Sequence, residues 1–233
     1  PYFRAPHFRI GFPARYIERG WSESMRALPD YERRKMRASS VERYGTAISE
    51  GLLMASRDGV HFKRWNEAYL RPGIERPGTW QYGHQFIAEN VVQTKSAFEG
   101  APDELSLYAA EDYWHGKGGS LRRYSLRLDG FTALHASMKG GELLTVPIIF
   151  TGKELSLNFS TSAAGSLYVE IQSAEGDSIP GFAFKDCDEL FGDSVDRRVT
   201  WNKKSDVSSL AGKPVRLRFR LKDADLFSYQ FQN

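Results

Sequence analysis

The sequence predicts an all-β chain that ends in an antiparallel β-sandwich, and three observations carry that reading. Leu52-Leu53-Met54-Ala55 leads into Ser56-Arg57-Asp58-Gly59-Val60-His61-Phe62 and then Lys63-Arg64-Trp65, an apolar run, an Asp-Gly pair and a returning aromatic. Asp-Gly readily accepts the positive φ angles of a tight turn, so the stretch reads as strand-turn-strand. Later in the chain aliphatic residues alternate at Leu155, Leu157 and Phe159, at Leu167, Val169 and Ile171, and at Val215, Leu217, Phe219 and Leu221. A period of two marks strands with one buried face. Aromatic usage also changes: Trp21, Trp65, Trp80 and Trp114 precede residue 131 and only Trp201 follows it, together with nine of the eleven tyrosines in the first part. Four of the five histidines, His7, His61, His84 and His115, lie there too. The expected division is therefore 1–130 and 131–233.

Taken in order, His7-Phe8-Arg9-Ile10-Gly11-Phe12-Pro13 is extended and broken by Pro13. Residues 21–41 form a loop with a short surface helix, for which Asp30 is a candidate cap and whose charges fall three and four apart. Leu105 to Ala110 alternates, and Leu121 to Leu128 leads into a second Asp-Gly at Asp129-Gly130, giving two hairpin units before the sandwich. In the second part Lys139-Gly140-Gly141, Thr151-Gly152, Ser162-Ala163-Ala164-Gly165, Glu175-Gly176-Asp177 and Gly212-Lys213-Pro214 separate the strands. Arg216, Arg218 and Arg220 fall on the solvent face of the last one.

Composition narrows the partners. Thirty-two basic against 29 acidic residues leave a net charge of +3, too even for a nucleic-acid footprint. No apolar run reaches the roughly 20 residues of a membrane span, so neither nucleic acid nor a membrane is an expected partner. Cys187, the single cysteine, rules out an intramolecular disulfide and reads as a small buried residue. There is no glycine-rich phosphate loop, zinc spacing or G-x-S-x-G elbow, and no cofactor or metal is expected. The acidic run Asp186, Asp188, Glu189, Asp193 and Asp196 does not match an EF-hand loop and reads as solvated turn carboxylates. The sequence starts at Pro1 without a leader, as a processed molecule or a piece of a longer one would; a secreted or periplasmic location needs a leader upstream.

Ser56-x-Asp58-Gly59-x-x-Phe62 is similar to the hairpin wording in β-propeller blades of sialidases and related glycosidases. With Pro1-Tyr2-Phe3-Arg4-Ala5-Pro6-His7, Gly11-Phe12-Pro13-Ala14-Arg15-Tyr16, Phe62-Lys63-Arg64-Trp65, Arg71-Pro72-Gly73, Arg122-Arg123-Tyr124, Asp129-Gly130-Phe131 and Gly181-Phe182, the chain resembles a family of predicted glycosyl hydrolases. These are built on a five-bladed propeller with a C-terminal β-sandwich and are related to glycoside hydrolase families 32 and 43. The resemblance implies a partial β-propeller, its last blades, over 1–130 and a sandwich over 131–233. It also implies that Ser56 and Asp58 serve the turn, that the first catalytic Asp lies upstream of Pro1, and that open blade edges are met by upstream blades or by self-association.

Glycoside hydrolysis uses two carboxyl groups, one protonated to assist the leaving group and one ionised as nucleophile or base. Glu111, at the end of the Leu105 to Ala110 strand, and Glu50, ahead of the Asp-Gly hairpin, are the catalytic candidates, with ordinary loop carboxylates as the alternative. Sugar rings pair flat C–H faces with hydroxyls, so aromatic platforms beside polar groups are expected to bind them. Trp80, Tyr82 and His84 in one cluster, Tyr113 and Trp114 beside His115 in another, and His7 and Arg15 have that character. Packing between blades is the competing use of the same aromatics, and a non-catalytic carbohydrate-binding protein the competing function.

Overall fold

Strands dominate the chain, 43% of it against 9% helix in several antiparallel sheets, so the all-β expectation holds. The computed structural model describes residues 2–114 and 118–233; His115 lies outside the described residues. Two units emerge, residues 1–97 with 103–126 and residues 98–102 with 127–233. Residue 131 falls just inside the second.

In the first unit, β1 (Arg9–Gly11) and β2 (Ala14–Glu18) flank the Pro13 break. The chain then runs through α1 (Glu23–Ala27), α2 (Tyr31–Ala38) and α3 (Arg43–Thr46) and returns as β3 (Ala47–Gly51) and β4 (Met54–Ser56). β2 pairs β3 and β1 pairs β4, both antiparallel, while the Leu52 amide donates to Pro13 O at 2.9 Å and keeps the ribbon continuous across the break. β5 (Lys63–Arg64) adds to β4. A second sheet orders β6 (Val92–Thr94), β7 (Glu104–Glu111) and β8 (Ser120–Arg127). Residues 85–88 run beside β7 past the end of β6, through Gln85 N to Ala110 O at 2.8 Å and Ala88 N to Tyr108 O at 2.7 Å.

The Asp-Gly stretch is a wider loop than a tight turn, spanning 57–62 between β4 and β5 with only Gly59 at positive φ. Side chains shape it instead. Ser56 Oγ accepts from Gly59 N at 2.8 Å and donates to Asp58 Oδ1 at 2.9 Å, and that oxygen also accepts from Val60 N and His61 N. Asp58 and Ser56 thus serve the turn. Asp129-Gly130 closes no hairpin: β8 is followed by β9 (Leu134–Ala136), which pairs with the last strand of the chain and not with β8.

Asp30 sits at the start of α2 in left-handed conformation, φ 64°, but its side chain caps no amide of that helix and accepts from Gly78 N at 2.7 Å. The expected surface helix is not one. Its Arg34 and Arg37 are buried, at 1% and 6% exposure, and both reach into the unit.

The second unit is a five-stranded sheet in which β10 (Gly141–Leu144), β13 (Val215–Gln232), β11 (Glu154–Ser173) and β12 (Asp193–Arg198) lie side by side and β9 also joins β13. Ser162 to Gly165 was expected to separate two strands, yet 154–173 is one strand with a register shift there. Thr161 faces Ala224 and Ser166 faces Lys222, so four residues bulge against Asp223 alone, which takes φ 44°. A side chain at Gly165 would overlap the Asp223 carbonyl, so only glycine fits the bend. The buried positions of β13 change from odd numbers (Val215 to Leu221) to even ones (Ala224, Leu226) across Asp223, and both halves face one core. Trp201 anchors that core by donating from Nε1 to Val169 O at 2.9 Å.

The arginine stripe and the acidic run of this unit have partners within it. Arg218 and Arg220 share Glu142 and stand over Phe184, and Arg216 donates to Ala174 O and Thr145 O. The acidic run is tied to Tyr168, Thr200, Asn202, Arg127 and Ser156. Cys187 is buried and its thiol is pushed up to about 11 by that burial.

Candidate functional site

The β2–β3 ribbon is the foundation of the site, because successive side chains of a strand point to opposite faces. Arg15 faces Glu50 and Ile17 faces Ile48 across the ladder, so Arg15, Ile17, Ile48 and Glu50 share one face, and Arg19 follows one residue past the end of β2. Of these, Ile17, Arg19, Ile48 and Glu50 line a cavity of about 600 Å³ together with Ala68, Arg71, Pro72, Gly73, Ile74 and Trp80. Arg15 Nε donates to Glu50 Oε1 at 2.7 Å, its Nη2 bonds the same oxygen, and its Nη1 donates to Asn66 O at 2.8 Å. Both carboxylate bonds fall on Oε1. Among the described residues no donor reaches Oε2.

Two further features fix the walls. Leu70 is bridged to Gly51, the residue after Glu50, through Gly51 N to Leu70 O at 3.2 Å and Leu70 N to Gly51 O at 3.0 Å. Trp80, with φ 57°, donates from its indole Nε1 to Gly73 O at 2.7 Å, which holds both the ring and the 71–74 loop in place.

The other face of the ribbon meets the remaining aromatics. Tyr82 lies against Tyr16, Tyr44 and Tyr113 at ring distances of 6.0, 5.3 and 6.5 Å. Tyr113 and Trp114 stack at 5.3 Å, and Trp114 meets Tyr44 edge-on at 5.1 Å. Gly83, at φ 80° and bonded from its amide to Ser49 Oγ at 3.0 Å, passes so close to the Tyr113 ring that any side chain would overlap it. Tyr113, Trp114, Met36 and Arg37 line a second cavity of about 390 Å³ with Gly118 and Gly119.

Beneath both lies a polar interior. Glu111, 3% exposed, accepts from Arg76 Nη2 on both oxygens at 2.7 Å and from Arg122 Nε at 2.7 Å. Burial alone raises its pKa, but the bonds and charges of Arg122 and Arg76 together outweigh it and bring the carboxyl to about 2. His84, fully buried, is lowered to about 4 by burial, against the pull of Glu111. The neutral ring accepts from Trp80 N at Nδ1, 3.3 Å, and its Nε2 lies 3.3 Å from Gln85 Nε2 and 3.7 Å from Glu111 Oε1. Tyr124 OH accepts from Gln85 Nε2 at 2.9 Å and donates to Glu111 Oε1 at 3.4 Å.

The buried helix arginines complete the interior. Arg34 donates to Pro29 O at 2.9 Å and Thr79 O at 3.1 Å; burial and then the Arg37 charge lower it to about 10, so it remains charged at neutral pH. Arg37 bonds Gln81 Oε1 and donates to Tyr113 O at 3.0 Å and Trp114 O at 2.7 Å. The helical segment therefore holds both aromatic clusters by their backbones.

The sequence candidates accordingly separate. Glu50, Arg15 and Trp80 come together at the first cavity, Tyr82, Tyr113 and Trp114 in the aromatic cluster, and Glu111 and His84 in the interior. His7 is exposed and packs on Phe8 at 5.3 Å. Sequence reasoning missed Arg19 and Arg71 at the cavity and Arg34, Arg37, Arg76 and Arg122 beneath it. Arg19 was accessible to it, since Arg15, Ile17 and Arg19 repeat at the strand period. Compared with known protein families, curated proteins and solved structures, the chain has no match.

Proposed function

We propose that this chain is part of a glycoside hydrolase-like protein, a partial β-propeller followed by a β-sandwich, and that its Glu50–Trp80 cavity binds a polysaccharide-derived sugar. One observation carries the reading: a hydrogen-bonded indole and a carboxylate with one oxygen open to a hydroxyl line the same cavity. Trp80 offers a flat platform for the C–H face of a ring, and Glu50 Oε2 an acceptor for its hydroxyls. The three-stranded sheets β1-β4-β5 and β6-β7-β8 support the blade reading.

In a two-carboxylate mechanism Glu50 takes the part of the nucleophile or base, positioned by Arg15. Glu111 cannot be the proton donor near neutral pH, because two arginines hold it ionised. The proton donor is then another carboxyl. That same engagement of Glu111 favours the second reading, a carbohydrate-binding protein without hydrolysis.

Calorimetric titration with a panel of oligosaccharides, alongside an assay for released reducing ends, tests both. Trp80→Ala is expected to weaken binding about tenfold with the fold intact. Glu50→Gln is expected to abolish release while binding changes only a few-fold. Unchanged binding by Trp80→Ala removes this cavity from the proposal, and binding without release by the wild type leaves the non-catalytic reading.

A further inference from the structure

We infer that the sugar taken by the Glu50–Trp80 cavity is acidic, with a carboxylate held between Arg19 and Arg71. The inference rests on the sugar-binding reading and adds the charge of the ligand. Its basis is the balance of charge around the cavity. Among the described residues Glu50 is the single acidic one in the lining and Arg15 already opposes it, whereas Arg19 and Arg71 also line the cavity. Among the described residues no carboxylate pairs with either of their side chains. Elsewhere in the same unit Arg76 and Arg122 meet Glu111, and Arg123 meets Glu104. The cavity therefore carries a surplus of cationic donors.

Geometry supports the same ligand. Arg19 follows the last residue of β2, where its amide donates to Thr46 O at 3.0 Å, and lines the same cavity as Ile17. Arg71 follows the Leu70 bridge to β3, and the loop after it is held by the Trp80 indole. Both arginines thus stand on anchored backbone and line a cavity whose other walls include Ile17, Ile48, Ala68, Ile74 and Trp80. A charged hydrogen bond gains strength beside apolar walls, and the planar fork of arginine matches a carboxylate in a two-bond arrangement. A neutral sugar would leave both forks to water.

The test is calorimetric titration of oligogalacturonates and oligoglucuronates, each against its methyl ester, which keeps ring and hydroxyls and removes the charge, with a sulfated galactan oligosaccharide as a third arm. The acids are expected to bind at least about tenfold more tightly than their esters, with an advantage that shrinks as salt is raised. Arg19→Ala and Arg71→Ala should each lower acid affinity about tenfold and leave the esters unchanged, with Arg71→Lys between. Near-ultraviolet circular dichroism identical to the wild type shows that the variants are folded. Esters that bind as tightly as the acids overturn the inference and leave the sugar-binding reading standing. Absence of binding by acids and esters alike overturns both. Tightest binding by the sulfated ligand, with the same arginine dependence, overturns the carboxylate assignment in favour of sulfate.

Discussion

The two units exclude water by different means. The second gathers twenty buried apolar residues in one cluster, with β11 and β13 facing each other through Leu155 and Phe231, Val169 and Phe219, and Ile171 and Leu217. In the first, beside buried apolar residues such as Met25, Leu52, Leu53, Leu105 and Leu107, the buried set includes Arg34, Arg37, Gln81, His84, Gln85 and Glu111, linked to one another and to backbone carbonyls. An apolar core draws its stability from area and packing, and is indifferent to pH. A polar interior depends on the protonation state of each member. The candidate site stands on the second kind of interior, so acidity reaches it first.

Three measurements sharpen the contrast. The largest effect is expected in the apolar core, where Phe159→Ala should cost about 3–5 kcal/mol by emptying a fully buried position between β12 and β13. Hydrogen exchange resolved by peptide checks it: protection should fall across 154–173 and hold across 104–111. Equal loss in both segments would mean that the two interiors unfold as one.

Next in size is acid sensitivity of the first unit. An unfolded His84 takes up a proton as pH falls through 6.5, whereas the folded one stays neutral down to about 4. Stability is therefore full above 6.5 and lost progressively between 6.5 and about 4, by about 3 kcal/mol. Glu111 extends the loss: its folded carboxyl remains ionised between 4.5 and about 2, where the unfolded one is protonated. The urea midpoint read from tryptophan fluorescence should show this decline, and His84→Gln should be flat from 6.5 down to about 5, above the range where Glu111 contributes. A variant that declines as the wild type does would assign the acid effect elsewhere. The smallest effect belongs to the hairpin, where Ser56→Ala removes two bonds of a buried hydroxyl and should cost about 1 kcal/mol in the same assay.

The contrast also accounts for what could be read in the sequence. Alternation at 215–221 and at 167–171 announced the apolar sheet because burial there is a property of side-chain type. Ser56 and Asp58 announced their loop because short polar side chains bond their own backbone. Arg34 and Arg37 gave no such signal. Within Glu32-Arg33-Arg34-Lys35-Met36-Arg37 they look solvated, and what buries them is a set of carbonyls at Pro29, Thr79, Tyr113 and Trp114 that any residue could supply. The fusion of 154–173 into one strand was hidden likewise, since Ser162-Ala163-Ala164-Gly165 reads as a turn whether it ends a strand or bulges from it. At the site, Glu50, Arg15 and Trp80 were named from composition, but only strand pairing brought Arg19 and Arg71 to them.

Residues 19–46 leave the β2–β3 ribbon and rejoin it at neighbouring points, joined by the bond from Arg19 N to Thr46 O. A segment that departs and returns through one gap is where a chain can gain or lose length over evolutionary time without disturbing its neighbours. Here that freedom is curtailed, because Arg34 and Arg37 must still arrive beneath the aromatic residues. By contrast, one residue inserted within 14–18 would exchange the ribbon's two faces, turning the arginines of the cavity toward the tyrosines. Variation in length is therefore expected to concentrate between the helices and to be absent from the strands that carry the site.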